Sequence, residues 1–427
     1  MLKAYNNEKN KVFLSRVRHT GLLPLLMVAL VSVSVEAHLP EYFGRKYVRV
    51  IDTQPEAPCE SGGRAGREEA NALKDSLDDA LLDSGAYNPS LADPIGELGK
   101  LYAALCNHPA ALNANRNALQ IVRVNEGLLS PAQIPYLYAL ADSYQAIGDF
   151  RSAQQSMRSV FRVHGMGKGL LDEAALRDSL AYFARARAIF IDPRSRGEMS
   201  LFFEAFKDNE DMLDVQLERG ELDYTSRAAL SLSHLRNLYL LLGTDFVVAS
   251  SLGGDATNPA VDFMQRSQTL TYGKGRVLLE ELIEAAEEQP ALTRARLYLR
   301  LGNWQQWNAK WGQSCDSYAS AWEMASGDDG LPLRKQLSNP AVLPEDSGLW
   351  KSLLDPQIAV KANIVAGFRV SDRGDISRVD AVVQGEGSSG LAARVARWLR
   401  DSHARPAIVD GVCVDGELRG RQYRLLD

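Results

Sequence analysis

Six histidines, at positions 19, 38, 108, 164, 234 and 403, are the side chains best suited to metal or proton chemistry, and no two share a ligand spacing. No H-E-x-x-H or comparable pair occurs, so metal-assisted hydrolysis is not written in them. Gly165-Met166-Gly167-Lys168-Gly169 is glycine-rich, but it lacks both the G-x-x-x-x-G-K-[ST] spacing and the preceding buried strand that cradle a phosphate. It reads as a loop between helices. The acidic pairs Asp78-Asp79, Glu280-Glu281 and Glu287-Glu288 sit among charged neighbours on helical stretches, as a solvated face does, rather than as a general acid and base. Gly411-Val412-Cys413-Val414-Asp415-Gly416 imitates a nucleophile elbow with one residue too many and no helix after it, so Cys413 reads as turn or strand. Cys59, Cys106, Cys315 and Cys413 contain no C-x₂-C pair to grip zinc. In an oxidising compartment they permit two disulfides in three connectivities, with buried or unpaired thiols as the alternative. No catalytic group, cofactor or metal ligand emerges, and the expected function class is binding of other proteins.

The elements that carry these residues must come from 427 residues, 45% hydrophobic and 24% charged, enough for two or three folding units or one elongated array. Acidic residues, 54 of them, are mixed with 48 basic ones to a net charge of −6, which argues against nucleic acid as a partner. At the N-terminus, Lys3, Lys9, Lys11, Arg16 and Arg18 precede an apolar run from Gly21 to Val35, followed by Val35-Glu36-Ala37. This is the order of a signal peptide, with cleavage expected after Ala37 and export to a Gram-negative-type periplasm. The run is short for a bilayer-spanning helix; an uncleaved inner-membrane anchor is the alternative, and the mature chain is otherwise expected to be soluble. Residues 1–37 are thus the signal and 38–90 a lead segment. That segment holds a short strand at Tyr47–Ile51, a flexible joint at Gly62–Gly66 and a helix over 67–82.

Residues 91–325 carry helical periodicity with small residues where two helices would cross. Leu98-Gly99-x-x-Tyr102, then Ala111 and Ala118, returns 42 positions later as Leu140-Ala141-x-x-Tyr144, then Ala153 and Val160. Such a repeat makes each unit a helix hairpin that closes only at a very small side chain, with Gly148-Asp149 ending the first helix of its unit. These units resemble tetratricopeptide repeats in the variant with longer helices, although Asn115 stands where an aromatic residue is usual. The resemblance implies a face that binds an extended peptide or a partner helix. A third unit is read at Leu297–Trp304 with Tyr318, Ala321 and Trp322, and its stretch from Gly302 to Ala321, 19 residues against 12 from Gly148 to Val160, is taken as an insertion holding Trp304, Trp307 and Trp311. Further helices are expected at 170–191, 198–206, 230–242, 261–271 and 276–288.

Residues 326–357, with Pro332, Pro340, Pro344 and Pro356, read as a linker. Beyond them the period becomes alternating: Val360, Ala362, Ile364, Ala366 and Phe368 on one strand, Ile376, Val379, Ala381 and Val383 on a second, joined by the turn Asp372–Asp375. A helix with Leu391, Val395, Trp398 and Leu399 and a last strand 418–426 follow. The expected fold class is mainly α, a helical-hairpin (TPR-like) solenoid followed by a small α+β module of strand, strand, helix, strand. Phe368-x-Val370-x-x-x-Gly374, Ser388-Ser389-Gly390, Arg405-Pro406-Ala407 and Asp410-Gly411 make residues 358–427 resemble the C-terminal domain of TonB-type energy transducers. That resemblance implies a module pairing its sheet edge with a client strand. A transducer also keeps an N-terminal membrane helix and a proline-rich spacer, and here a cleavable run and helical repeats stand in their place. The expected function is a periplasmic scaffold, its repeats holding one protein partner and its αβ module another. An inner-membrane-anchored transducer acting on outer-membrane receptors, and a hydrolase built from 192–290, are the alternatives.

Overall fold

The repeat hairpins close where the small residues predict. The computed structural model describes residues 47–49, 63–169, 171–192, 199–243, 259–345, 360–385 and 389–426. The expected signal segment with its expected cleavage site, Cys59, Ser388 and residues 346–357 of the expected linker lie outside them. Helix α1 (Arg64–Ser84) starts inside the expected Gly62–Gly66 joint and packs on α2 (Ala92–Ala104). Hairpins α2/α3 (His108–Glu126) and α4 (Ile134–Ala146)/α5 (Phe150–Val163) follow, then α6 (Glu173–Ile191), α7 (Met199–Arg219), α8 (Tyr224–Leu242) and α9 (Pro259–Ala285). Hairpin α10 (Ala291–Trp307)/α11 (Trp311–Met324) ends the array. The starts are set by capping side chains: Asn107, Asp149, Asp172 and Asp223 each accept a hydrogen bond from a backbone N–H in the first turn, worth about 1 kcal/mol apiece.

At Gly99 an added Cβ would overlap the Asn115 side chain, and at Gly302 it would overlap the Tyr318 ring. Gly99 and Asn115 are 16 residues apart, as are Gly302 and Tyr318, and as are Ala141 and Met157, both fully buried. The polar Asn115 is tolerated because its Nδ2 donates to Ala111 O at 2.9 Å inside its own helix. The third unit therefore has the register of the first two, and the expected insertion is corrected. Its Gly302 answers to Gly99 and Ala141, not to the turn residue Gly148. Ser314 answers to Ala111 and Ala153, and Ala321 to Ala118 and Val160. The residue matching Gly148 is Ala309, and in the first unit Cys106; the three have φ of 79°, 56° and 59° respectively. Behind each turn the same bond closes the helix end: Asn107 N to Tyr102 O, Asp149 N to Tyr144 O and Lys310 N to Gln305 O, at 2.8–2.9 Å. A non-glycine residue hid the third turn from a glycine-based reading.

The stretch expected as linker is also corrected over its described residues. Leu331–Leu337 forms helix α12, with Leu333 and Leu337 buried against Tyr318 and Ala321, and Ala341–Val342 forms strand β2. Its prolines begin α12 and follow it, positions that suit a ring with fixed φ and no N–H. The C-terminal module contains β3 (Val360–Val370), β4 (Ile376–Gln384), α13 (Ser389–Arg400), the short strands β5 (Ala404–Arg405), β6 (Ala407–Val409) and β7 (Val412–Val414), and β8 (Gly416–Leu426). With β1 (Tyr47–Arg49) the main antiparallel sheet has the order β1-β8-β3-β4. Ile364, Ala366, Phe368 and Val370 face α13 and meet Val395 and Leu399, as the alternation requires. The expected order of strand, strand, helix, strand stands, with β5, β6 and β7 added between helix and last strand; β5 pairs with β2 and β6 with β7.

Module and repeats share their packing. Ile408 of β6 is buried with Ala295, Leu299 and Tyr318 of the last hairpin. Gln306 Nε2 donates to Arg373 O at 2.7 Å in the β3–β4 turn. Cys315 of α11 is disulfide-bonded to Cys413 of β7, which picks one link out of the permitted connectivities.

Candidate protein-interaction surfaces

Most of the residues singled out by spacing build the scaffold and leave little surface for a client. Gly99, Ala111, Ala118, Ala141, Ala153, Gly302, Trp304 and Ala321 are all buried. Trp304 lies over Gly275 of α9, where a Cβ would strike its indole, and its Nε1 donates to Tyr272 O at 3.0 Å. A mid-helix glycine thus admits the largest side chain of the array, a contact that no helical period announces. Tyr102 and Tyr144 are half-buried; Tyr144 takes a hydrogen bond on its hydroxyl from Arg116 Nη2 at 2.7 Å, with the guanidinium 5.5 Å from the ring centre. Gly148 is exposed at its turn.

Between the second hairpin and α8, polar groups staple successive helices, and spacing did not reveal them. Asp178 of α6, almost fully buried, accepts from Tyr138 Oη at 3.0 Å and Arg177 Nε at 3.1 Å and lies 2.9 Å from His164 Nε2. Burial, and next the Asp178 charge, push the Tyr138 hydroxyl far above the usual phenol range, so it stays a donor. One layer on, Asp208 of α7 accepts from Tyr182 Oη at 2.9 Å and Arg158 Nε at 3.1 Å, and Arg158 also pairs with Glu204. Buried Arg187 donates to Asn237 Oδ1 at 2.8 Å, and Asn237 Nδ2 donates to Asn209 Oδ1 at 3.1 Å. Each network joins different helices, so its first effect is to fix their spacing. Among the described residues, no group of three His, Cys, Asp or Glu side chains is arranged to hold a metal, and no helix is long and apolar enough to cross a membrane.

The module residues fall into two sets. Phe368 is core, Ser389 and Gly390 open α13, and Pro406 is buried. Gly374, Arg405 and Gly411 instead meet the helical body. Gly374, at φ 89°, leaves room for Gln306 and Ala404 O; Gly411, at φ 79°, turns β6 into β7 beside Ala319 and Trp322. Arg405 Nη2 donates to Gln336 O at 3.0 Å and Asn339 O at 3.2 Å.

The rim of the main sheet exposes backbone among the described residues. On one side β4 pairs only with β3 among the described residues, and exposed Val382 lies on it. A bulge at Arg378, φ 49°, bends that rim, because Gly367 opposes Asp380 and Arg369 opposes Ser377. On the other side β8 receives β1 in antiparallel register, Tyr47 opposite Leu425 and Arg49 opposite Tyr423. The outer sheet face is mixed, a hollow of 520 Å³ bordered by Val365 and Val382 as well as by Arg369, Arg378, Asp380 and Arg419.

No protein-family model matches the chain, and no curated protein matches it in sequence. Among solved structures, the chain is similar to a crystal structure from Podosopora anserina described as kinesin light chain nearly identical TPR-like repeats. Identity is 15%, the match covers 56% of this chain and 96% of that one, and the TM-score is 0.33. At that score the helical-repeat assignment rests on the repeated contacts and turns described above.

Proposed function

We propose that the chain is a protein-binding scaffold of an oxidising, periplasm-type compartment, in which the helical repeats hold one partner and the rim of the C-terminal sheet takes a strand from another. The observation that carries the second half is β1 on β8. A three-residue strand from the opposite end of the chain adds to this sheet by backbone pairing at Tyr47–Arg49. Strand addition needs free backbone donors and acceptors and few particular side chains, so an edge that accepts one segment in this way can accept another. The Cys315–Cys413 disulfide supports the compartment, since such links persist in exported proteins and are rare in a reducing cytosol. The hairpin array supports the first half, because stacked helix pairs present an extended face of the kind that holds peptides.

The test is competition at β8. A labelled peptide of residues 43–53 should bind a chain lacking residues 38–62 and bind the mature chain far less. Replacing Val48 by proline in the peptide removes a backbone donor and should abolish binding. Equal binding of both peptides would refute strand addition.

A further inference from the structure

Where α12, β2 and β5 meet the middle of β8, a hollow of 340 Å³ is bordered by Lys335, Gln336, Glu345, Arg405 and Arg421. Arg405 sits beneath it with 1% of its surface exposed. Two backbone carbonyls, Gln336 O and Asn339 O, hold its Nη2, whereas its Nε and Nη1 make no hydrogen bond. Its counter-charge is Glu345, whose Oε2 lies 3.3 Å from Nη1 and whose Oε1 lies 3.5 Å from Nη2. These separations exceed the roughly 2.7–2.9 Å of a well-seated guanidinium–carboxylate pair. Oε2 accepts no hydrogen bond at all. The Glu345 side chain is 22% exposed and its Oε1 accepts from Gln336 Nε2 at 3.2 Å, so the partner loosely seated on the guanidinium is also the one at the mouth.

We propose that this hollow is a carboxylate-binding site with Glu345 as its resident occupant, and that its ligand is an acidic side chain or a free chain end of a bound protein. The geometry of the occupant selects the class: a planar two-oxygen anion already faces the guanidinium. Folding has already stripped water from Arg405, so an incoming carboxylate gains its charge without repeating that desolvation. Lys335, exposed on α12, adds a positive charge at the rim that Glu345 does not use. The site is independent of strand addition, and either can fail alone.

Three labelled peptides distinguish the sources against the full mature chain by fluorescence anisotropy: a polyalanine peptide with one central glutamate and capped ends, polyalanine with a free C-terminal carboxylate, and fully capped polyalanine. The first or second should bind and the third should not. Lys335→Gln should weaken binding about fivefold, the scale of one exposed charge contact. Glu345→Gln should tighten it about fivefold, because the resident competitor is gone while its size is kept. A role confined to folding would not raise affinity. Should Glu345→Gln fail to fold, Lys335→Gln on the wild-type background still decides. Binding by the capped peptide, no binding up to millimolar concentration, or affinity unmoved by Lys335→Gln would overturn the proposal.

Discussion

Cys315 and Cys413 lie with their Cα atoms 5.9 Å apart and their sulfurs bonded, so the last repeat hairpin and the β6–β7 hairpin are one covalent piece. The closed loop spans 98 residues and contains α12, β3, β4 and α13. Closing a loop of that length removes much of the freedom of the unfolded chain, so Cys413→Ser should lower stability by about 2–4 kcal/mol. Thermal melts with and without reductant check it: reductant should lower the wild-type midpoint and leave that of the variant unchanged.

Gly302 and Tyr318 touch so closely that Gly302→Ala should destabilise the chain by about 1–3 kcal/mol through overpacking. Gly99→Ala should do less, because the amide of Asn115 is smaller than a ring and can turn aside. Denaturant unfolding of both variants gives the comparison. Adding Tyr318→Leu to Gly302→Ala should recover part of the loss, since the two positions share one contact.

Ala309 holds the left-handed turn that Gly148 holds in the second repeat. That conformation costs a residue with a Cβ about 1–2 kcal/mol, partly offset by the extra freedom glycine has when unfolded. Ala309→Gly should therefore stabilise the protein by about 0.5–1 kcal/mol, and Gly148→Ala should destabilise it by at least as much. Opposite shifts in the urea midpoint are the expected result; a downward shift for Ala309→Gly would remove the turn equivalence.

His234 is buried beside Phe206, and burial first, then the positive charges of Lys274 and Arg187, holds its imidazole pKa down at about 3. In the unfolded chain an imidazole titrates near about 6.5. The folded protein thus favours the neutral ring, and its contribution is intact above pH about 6.5 and lost as pH falls from there towards about 3. The midpoint denaturant concentration should drop over that window, and His234→Phe should flatten the drop. Identical profiles for the two proteins would contradict the assignment.

The helical hairpins were legible because their tight contacts use glycine and alanine, and a 42-residue shift of Tyr102 and Ala111 onto Tyr144 and Ala153 is visible to the eye. The third hairpin was half legible. Its contact residue Gly302 stands out, but alanine at 309 and serine at 314 replace the glycine and alanine of the second unit, so local spacing there points to an insertion. The alternating strands of the module were readable for the same reason, one face being buried. What stayed hidden depends on pairs distant in the chain: Cys315 with Cys413, Gln306 with Arg373, Trp304 on Gly275 and β1 on β8. A local pattern reports which face of an element is apolar; it carries no information on which other element will cover that face. The motif residues Gly374, Arg405 and Gly411 were found for their types, while their place against the helical body came only from the fold.

Cys413 follows Cys315 by 98 residues, so its partner belongs to a hairpin completed well before it in synthesis. Emerging vectorially, the nascent polypeptide leaves Cys315 without this partner until position 413 has arrived. A product cut short before position 413 keeps that thiol, marking itself as unfinished to any oxidase, mixed-disulfide carrier or protease that reads thiols.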